Sequence, residues 1–329
     1  MSNWKVRPEK VLDLSPIEGA DKIEVATVKG WKCVVKKGEF KVGDYGMYFP
    51  VDSLLPADNP TYSFMAPRHF RVKTIKLRKQ ISQGLLMPLS LFNHYEWNKI
   101  PENKISEINF AKDLGVDKWD NAVPLGGKME GLFPSFIPKT DQERIQNVPE
   151  LLTLPHLFEV TEKLDGTSCT MFLKDGNFGV CSRNFQMKHD ESSVYSIIAK
   201  NMEIEEKLRT FGDNIAIQGE IIGPKIQGNR YNRTQQELYV FDVFDINENH
   251  YLTPGARSSF ITALDILQVP IVTLQRLPNL EDLLKCADGI SHLYDGVMRE
   301  GLVYKCVERT NKGIPSFKVI SNEWLLKYE

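Results

Sequence analysis

No apolar run in the 329 residues approaches the roughly 20 needed to cross a bilayer as a helix. The opening MSNWKVRPEK is too polar for a secretory signal. Cysteine is scarce: Cys33, Cys169, Cys181, Cys286 and Cys306 are scattered, odd in number, and form no C-x-x-C pair. That argues against a zinc knuckle and against a disulfide framework, and leads us to expect a reducing compartment, the cytoplasm or elsewhere inside the cell, the nucleus included. An excess of charge is missing too. The net charge of −2 does not mark a nucleic-acid binder, so charge has to be read locally. What is missing locally is acid, because no Asp or Glu occurs between Asp58 and Glu96.

Inside that gap lie Arg68, Arg71, Lys73, Lys76, Arg78 and Lys79. In RVKTIKLRK, Val72, Ile75 and Leu77 alternate with cations, as on a half-exposed strand. One reading is an edge strand protected by lysines. The other is a groove that tracks a phosphate backbone, with Phe70 to stack on a base and Arg71, Lys73, Lys76 and Arg78 to meet phosphates.

At 329 residues the chain is long enough for two domains. Residues 4–56 carry short β-branched and aromatic runs broken by Gly, Asp and Pro, the pattern of a small barrel. PIEGADKIEVATVKGW resembles the opening of OB-fold tRNA-binding modules. Residues 96–137 show no sustained period and read as the end of the first domain plus a linker. TDQERIQNVPELL reads as a helix start capped by Thr140 or Asp141. The expected division is an OB-like domain at 1–110, a linker at 111–138 and a second domain at 139–329.

The second domain holds FEVTEKLDGTS, where an apolar run climbs to Lys163 and a D-G turn follows. By average residue usage, K-x-D-G arises by chance in roughly one chain in fifteen of this length. The tetrapeptide alone therefore decides nothing. Further on, GVCSRNFQMK places Arg183 after a strand, and IAIQGEIIGP places Glu220 between apolar runs. ELYVFDVFDI carries Phe241, REGLVYKCV carries Glu300 and Lys305, and GIPSFKVIS carries Lys318. Singly, each has an ordinary explanation as a turn, edge or core residue.

Taken in order, KLDG, SRN, GEIIG, YVFD, EGLVYK and SFKV resemble the nucleotidyltransferase motifs of ATP-dependent RNA ligases. The preceding basic region resembles the N-terminal OB-fold domain of one group of these enzymes, on KTIKL and ISQGLLMPL. The resemblance implies an α+β fold: an N-terminal OB-like β-barrel, then a mixed antiparallel-sheet nucleotidyltransferase domain with helices. It implies sealing of 3′-hydroxyl and 5′-phosphate RNA ends or nicks through lysyl-AMP and RNA-adenylate, by a monomer that uses ATP with Mg²⁺ or Mn²⁺.

By the same resemblance Lys163 is the nucleophile. Asp165, Glu220 and Glu300 face the metal, mainly through water. Lys305, Lys318 and Arg144 meet phosphates, Phe241 covers the adenine, and Arg183 contacts the sugar or the RNA end. The backbone at Glu162 reads the adenine edge, and Gly166 lets the chain pass close to the nucleotide. Two features depart from the family pattern. SFKVI has one lysine where relatives often show K-x-K, with Lys312 nearby, and Ser168 stands where some ligases have Asn.

Capping guanylyltransferases and DNA ligases share K-x-D-G, but their OB domain usually follows the last motif, and only SNEWLLKYE follows here. An inactive RNA-binding protein with a ligase fold is the non-enzyme alternative.

Overall fold

The computed structural model describes residues 4–119, 127–190 and 193–329. They divide into two compact units. The first takes in the described residues up to 119, then 145–149 and 325–329; the second takes in 127–144 and 150–324.

The first unit is built on one antiparallel sheet. Its strands are β1 (Arg7–Pro16), β2 (Ile23–Val28), β3 (Trp31–Lys36), β4 (Tyr45–Phe49) and β8 (Leu85–Pro88), in the order β3-β2-β1-β4-β8. A bulge between Val11 and Asp13 bends β1, so its first half pairs with β4 and its second with β2. The sheet then curls until its ends meet. Gln83 donates its N–H to Lys32 O at 2.8 Å, and Ser82 Oγ accepts from Val34 N at 2.9 Å. This is how a barrel removes its free edges. Val28, Trp31, Cys33, Tyr48 and Leu86 fill the interior. Gly84 (φ 100°) is where the chain must pass the Tyr48 ring, since a Cβ there would lie 2.4 Å from a ring carbon.

The rest of this unit is built around that sheet. β5 (Ser53–Leu54) pairs with β9 (Asp117–Lys118), β6 (Ile75–Leu77) forms a hairpin with β7 (Gln80–Ser82), and α1 (Glu102–Ile105) adds one turn. The region expected as a linker is divided. Ala111, Leu114 and Val116 are buried in this unit's core with Phe49, Tyr62 and Phe92, while Ile137 is buried in the second unit against Phe172 and Phe244.

The helix expected from TDQERIQNVPELL does not form; Ile145–Asn147 and Pro149–Thr153 are 3₁₀ turns. Tertiary contacts override the capping signal. Glu143 O accepts from Lys318 N at 2.7 Å, which holds the segment extended, and Gln146 O is bound by Gly30 N. Pro149 then interrupts the run.

The second unit has two antiparallel sheets. The larger contains β10 (Met129–Leu132), β12 (Thr167–Lys174), β13 (Asn177–Cys181), β14 (Phe185–Met187), β15 (Ile215–Ile222), β16 (Glu237–Asp245) and β17 (His250–Tyr251). Its order is β10-β14-β13-β12-β15-β16-β17. Helices α2 (Val194–Asn201), α3 (Ile204–Phe211) and α4 (Pro254–Ala263) cover one face, burying Ile198, Leu208 and Phe260 against Met171, Ile217 and Val243. The smaller sheet contains β11 (Leu157–Lys163), β18 (Ile271–Arg276), β19 (Gly301–Cys306) and β20 (Ser316–Ile320), in the order β18-β11-β19-β20. Helix α5 (Leu280–Ala287) lies between β18 and β19 in the chain. The expected α+β class, with its N-terminal barrel, is the class observed.

Candidate active site

The D-G turn after Lys163 is not a hairpin. β11 pairs with β18 and β19, whereas β12 pairs with β13 and β15. Residues 164–166 therefore carry the chain from the smaller sheet to the larger, and Lys163 is the last residue of its strand. Gly166 makes the crossing possible. A Cβ there would sit 2.3 Å from Ile221 O and 2.9 Å from Glu220 Cγ. The protein atoms crowding this position belong to β15. The Gly166 N–H also donates to the Glu220 carboxylate. Gly166→Ala should cost roughly 1–3 kcal/mol by overpacking. A melting curve with unchanged Tm would show that β15 shifts freely.

Strand register decides what meets Lys163. On β11, Glu159, Thr161 and Lys163 share one face, opposite Lys305, Val303 and Gly301 of β19; on β20, Lys318 pairs with Val303. Glu300, one residue before β19, brings its carboxylate to 2.6 Å from Lys163 Nζ. Burial pulls Lys163 downward, but Glu300, Glu220 and Asp165 outweigh it and hold the ammonium above its ordinary range. Glu220 reaches the same place from β15. Burial pushes it up to about 8, with Glu300 and Asp165 adding to the rise against Lys163. Asp165 is pushed up to about 6, first by burial and then by Glu300, against the pull of Arg230 and Lys163.

Lys318 is the other cation here. Burial, then Lys163 and Arg144, bring it down to about 8. Arg144 is held beside it because its backbone forms a parallel bridge with Lys318. The site thus gathers three carboxylates around the lysine, with a second lysine and an arginine alongside. Among the described residues, no three His, Cys, Asp or Glu side chains are grouped to ligate one ion directly. Carboxylates crowded together in this way nevertheless suit a hydrated hard cation, which would reach them through water.

Phe241 is the extra residue of a β-bulge, since Gln218 pairs with Asp242 and Gly219 with Val240. The bulge turns its ring away from the sheet's alternation, and the half-buried ring packs beside Leu164, Tyr231 and Val297. Arg183 lies at an exposed turn with Asp141 at 2.9 Å. Ser168, two residues after Gly166, exchanges a hydrogen bond with Thr140 at 2.9 Å.

Several of the expected site residues are engaged within the protein. Lys305, expected at the phosphates, is buried against Asp242, and Phe241 O accepts from it at 3.3 Å. The next buried pair, Arg257 and Glu159 at 2.6 Å, lies on the same side of β11. Glu162 faces the opposite side of the sheet. Its carboxylate accepts from His292 N, and its own N–H donates to Pro270 O, so that N–H is committed within the protein.

In the first unit, Arg71 is held by Asp52 at 2.6 Å and lies over the Trp119 ring at 5.0 Å. Lys73 donates to a main-chain oxygen of Glu329 at 2.8 Å, and Phe70 packs on the core. The cations of this stretch left exposed are Arg68 and, on and around the β6–β7 turn, Lys76, Arg78 and Lys79. Arg230 and Tyr231, which the sequence did not single out, both bond to Asp165.

Comparison with family models matches residues 157–320 to RNA ligase and residues 6–89 to an OB-fold domain. Among solved structures, the Naegleria gruberi RNA ligase with PPi is 38% identical over 99% of both chains, with a TM-score of 0.91. A lysine-to-alanine mutant of the Naegleria enzyme, with ATP and Mn, is 38% identical over 98% of both chains at a TM-score of 0.90. A glutamate-to-alanine mutant with AMP and Mn is 38% identical over 99% of both chains at the same TM-score. Comparison with curated proteins gives no match.

Proposed function

Because this chain belongs to the RNA ligase family and is an ATP-dependent RNA ligase, we propose that it seals RNA ends through a nucleotide carried on Lys163. The observation that carries this reading is the position of Lys163: a strand-end lysine held 2.6 Å from Glu300, beside Asp165, Glu220 and Lys318.

Lys163 Nζ attacks the α-phosphorus of ATP. An N–P bond forms, the bond to the bridging oxygen breaks, and pyrophosphate leaves. The attack needs the neutral amine, and in the nucleotide-free site the Glu300 carboxylate favours the ammonium. Asp165, Glu220 and Glu300 would hold Mg²⁺ or Mn²⁺ through water, and the bound ion would supply positive charge opposite those carboxylates and the α-phosphate. Lys318 and Arg144 lie together where cations can draw charge onto the departing phosphates. Phe241 offers a face for adenine, and Arg183 lies at the turn where an RNA end or the ribose is expected. An RNA 5′-phosphate oxygen next attacks the lysyl-AMP phosphorus, and the N–P bond breaks. The 3′-hydroxyl then attacks the RNA 5′-phosphorus and AMP leaves, which restores the enzyme.

We read the enzyme as an intracellular monomer. Among the described residues no helix is long and apolar enough to cross a membrane. Its RNA contacts in the first unit centre on the β6–β7 hairpin. Neutralising Lys76, Arg78 and Lys79 together should weaken nick binding and flatten its salt dependence by roughly 0.9 in log–log slope for each phosphate no longer neutralised. Lysine adenylylation should survive, and its loss would point to damaged folding instead. The reading as a whole is tested with nicked duplexes carrying RNA or DNA on each side in turn. Joining that needs RNA at the 3′-hydroxyl side supports it, and joining of all-DNA nicks alone sinks it.

A further inference from the structure

The loop between β15 and β16 is held in an unusual backbone. Lys225 (φ 67°), Gln227 (43°), Asn229 (49°) and Asn232 (50°) all occupy the left-handed region. L side chains adopt that region at a cost, and four such residues within eight persist only where other contacts over-determine the loop. Asn229 supplies two of those contacts, donating to Arg233 O at 2.9 Å and accepting from Arg233 N at 3.0 Å. The loop so fixed grips the turn after Lys163. Asp165 N donates to Tyr231 Oη at 2.7 Å, and Gln227 Nε2 donates to Gly166 O at 3.4 Å. Arg230 Nε donates to the Asp165 carboxylate, and its guanidinium lies 5.9 Å from the Trp324 ring centre.

Two carboxylates of the site are thus each paired with one of the chain's own cations: Glu300 with Lys163, and Asp165 with Arg230. The Asp165 side chain is only 11% exposed and shares its surroundings with Glu220 and Glu300. Left without a counter-charge, three carboxylates this close would repel one another. Arg230 offsets part of that repulsion at Asp165 when nothing is bound, but it does so on a carboxylate that a hydrated metal would also claim.

We propose that Arg230 is the resident counter-ion of Asp165, displaced when the divalent cation binds, and that it thereby sets the metal concentration the enzyme requires. The inference rests on Asp165 being a metal-side carboxylate. Its sign is distinctive. A residue that merely shaped the site would weaken metal binding when removed, whereas a competitor strengthens it.

The test is Mn²⁺ binding to the protein with AMP, followed by loss of the free-ion paramagnetic resonance signal. The half-saturating Mn²⁺ for lysine adenylylation is measured in parallel. Arg230→Gln should bind Mn²⁺ roughly tenfold more tightly, and its half-saturation should fall to match. Arg230→Lys, which keeps the charge, should track the unmodified protein. Tyr231→Phe loosens the same turn but keeps Arg230, so it should lower Tm without tightening Mn²⁺. Arg230→Met is read in the same way if the glutamine variant fails to fold.

Unchanged or weaker Mn²⁺ binding in the charge-removing variants overturns the inference. So does a gain in Tyr231→Phe as large as theirs. Asp165→Asn separates the two layers: it should weaken Mn²⁺ binding, and if it does not, the metal-side reading of Asp165 fails first.

Discussion

Alanine in place of Lys163 is expected to reduce covalent AMP attachment from ATP to background. The amine at the end of β11 is the nucleophile of the proposed first step, and no other lysine in the site can take its place. Lys318 lies on β20, with burial and the Lys163 charge drawing it down to about 8, but its strand pairs one removed from β11. Lys305 is closed off by Asp242. Lys163→Arg should fail as completely, because a guanidinium keeps its proton at any pH the enzyme survives. The third step does not use the lysine as nucleophile. The alanine variant should therefore still join a nick whose 5′-phosphate already carries AMP. That residual joining separates loss of the nucleophile from loss of the fold. Normal labelling of the alanine variant would place the nucleotide on another residue.

Alanine at Lys305 is expected to damage the protein's stability before its chemistry. The residue sits in EGLVYK and invites a role on phosphate, yet its ammonium is buried against Asp242, and burial draws it below its ordinary range. Asp242 is itself 2% exposed. Removing one partner strands the other charge away from water, which costs roughly 3–5 kcal/mol in comparable buried pairs. Replacing both, as Lys305→Met with Asp242→Leu, removes both charges and should recover much of the loss. Thermal melting of the single and double variants checks this. A stable Lys305→Ala protein with only a raised KM for ATP would return the residue to the phosphates.

The motifs proposed to carry bond-making chemistry stand out in the sequence because their residue types are demanded by that chemistry. A lysine at a strand end, glutamates between apolar runs and an aromatic before Asp242 remain visible whatever packs around them. The barrel was legible from closely spaced β-branched runs. Partners distant in sequence were not. Arg71 and Lys73 stand in a stretch without acid, and their partners Asp52 and Glu329 lie outside it. The helix forecast at Thr140 rested on local capping and lost to backbone bonds from Lys318 and Gly30.

Lys305 and Asp242 did leave a signal. Each is a lone charge inside an apolar strand, and two such charges of opposite sign point to a buried pair. Arg230 and Tyr231 left none, because a loop with four left-handed non-glycine residues follows no spacing rule.

Lys163 is proposed to pass AMP from ATP to RNA in a sealing reaction. The most direct measurement is a single turnover: protein labelled from α-labelled ATP, freed of nucleotide, then mixed with a nicked RNA duplex. Label should leave the protein, appear transiently on the RNA 5′-end, and end as free AMP while the nick closes in equal amount. Label that stays on the protein while the nick remains open would contradict it, as would closure with no RNA-adenylate formed.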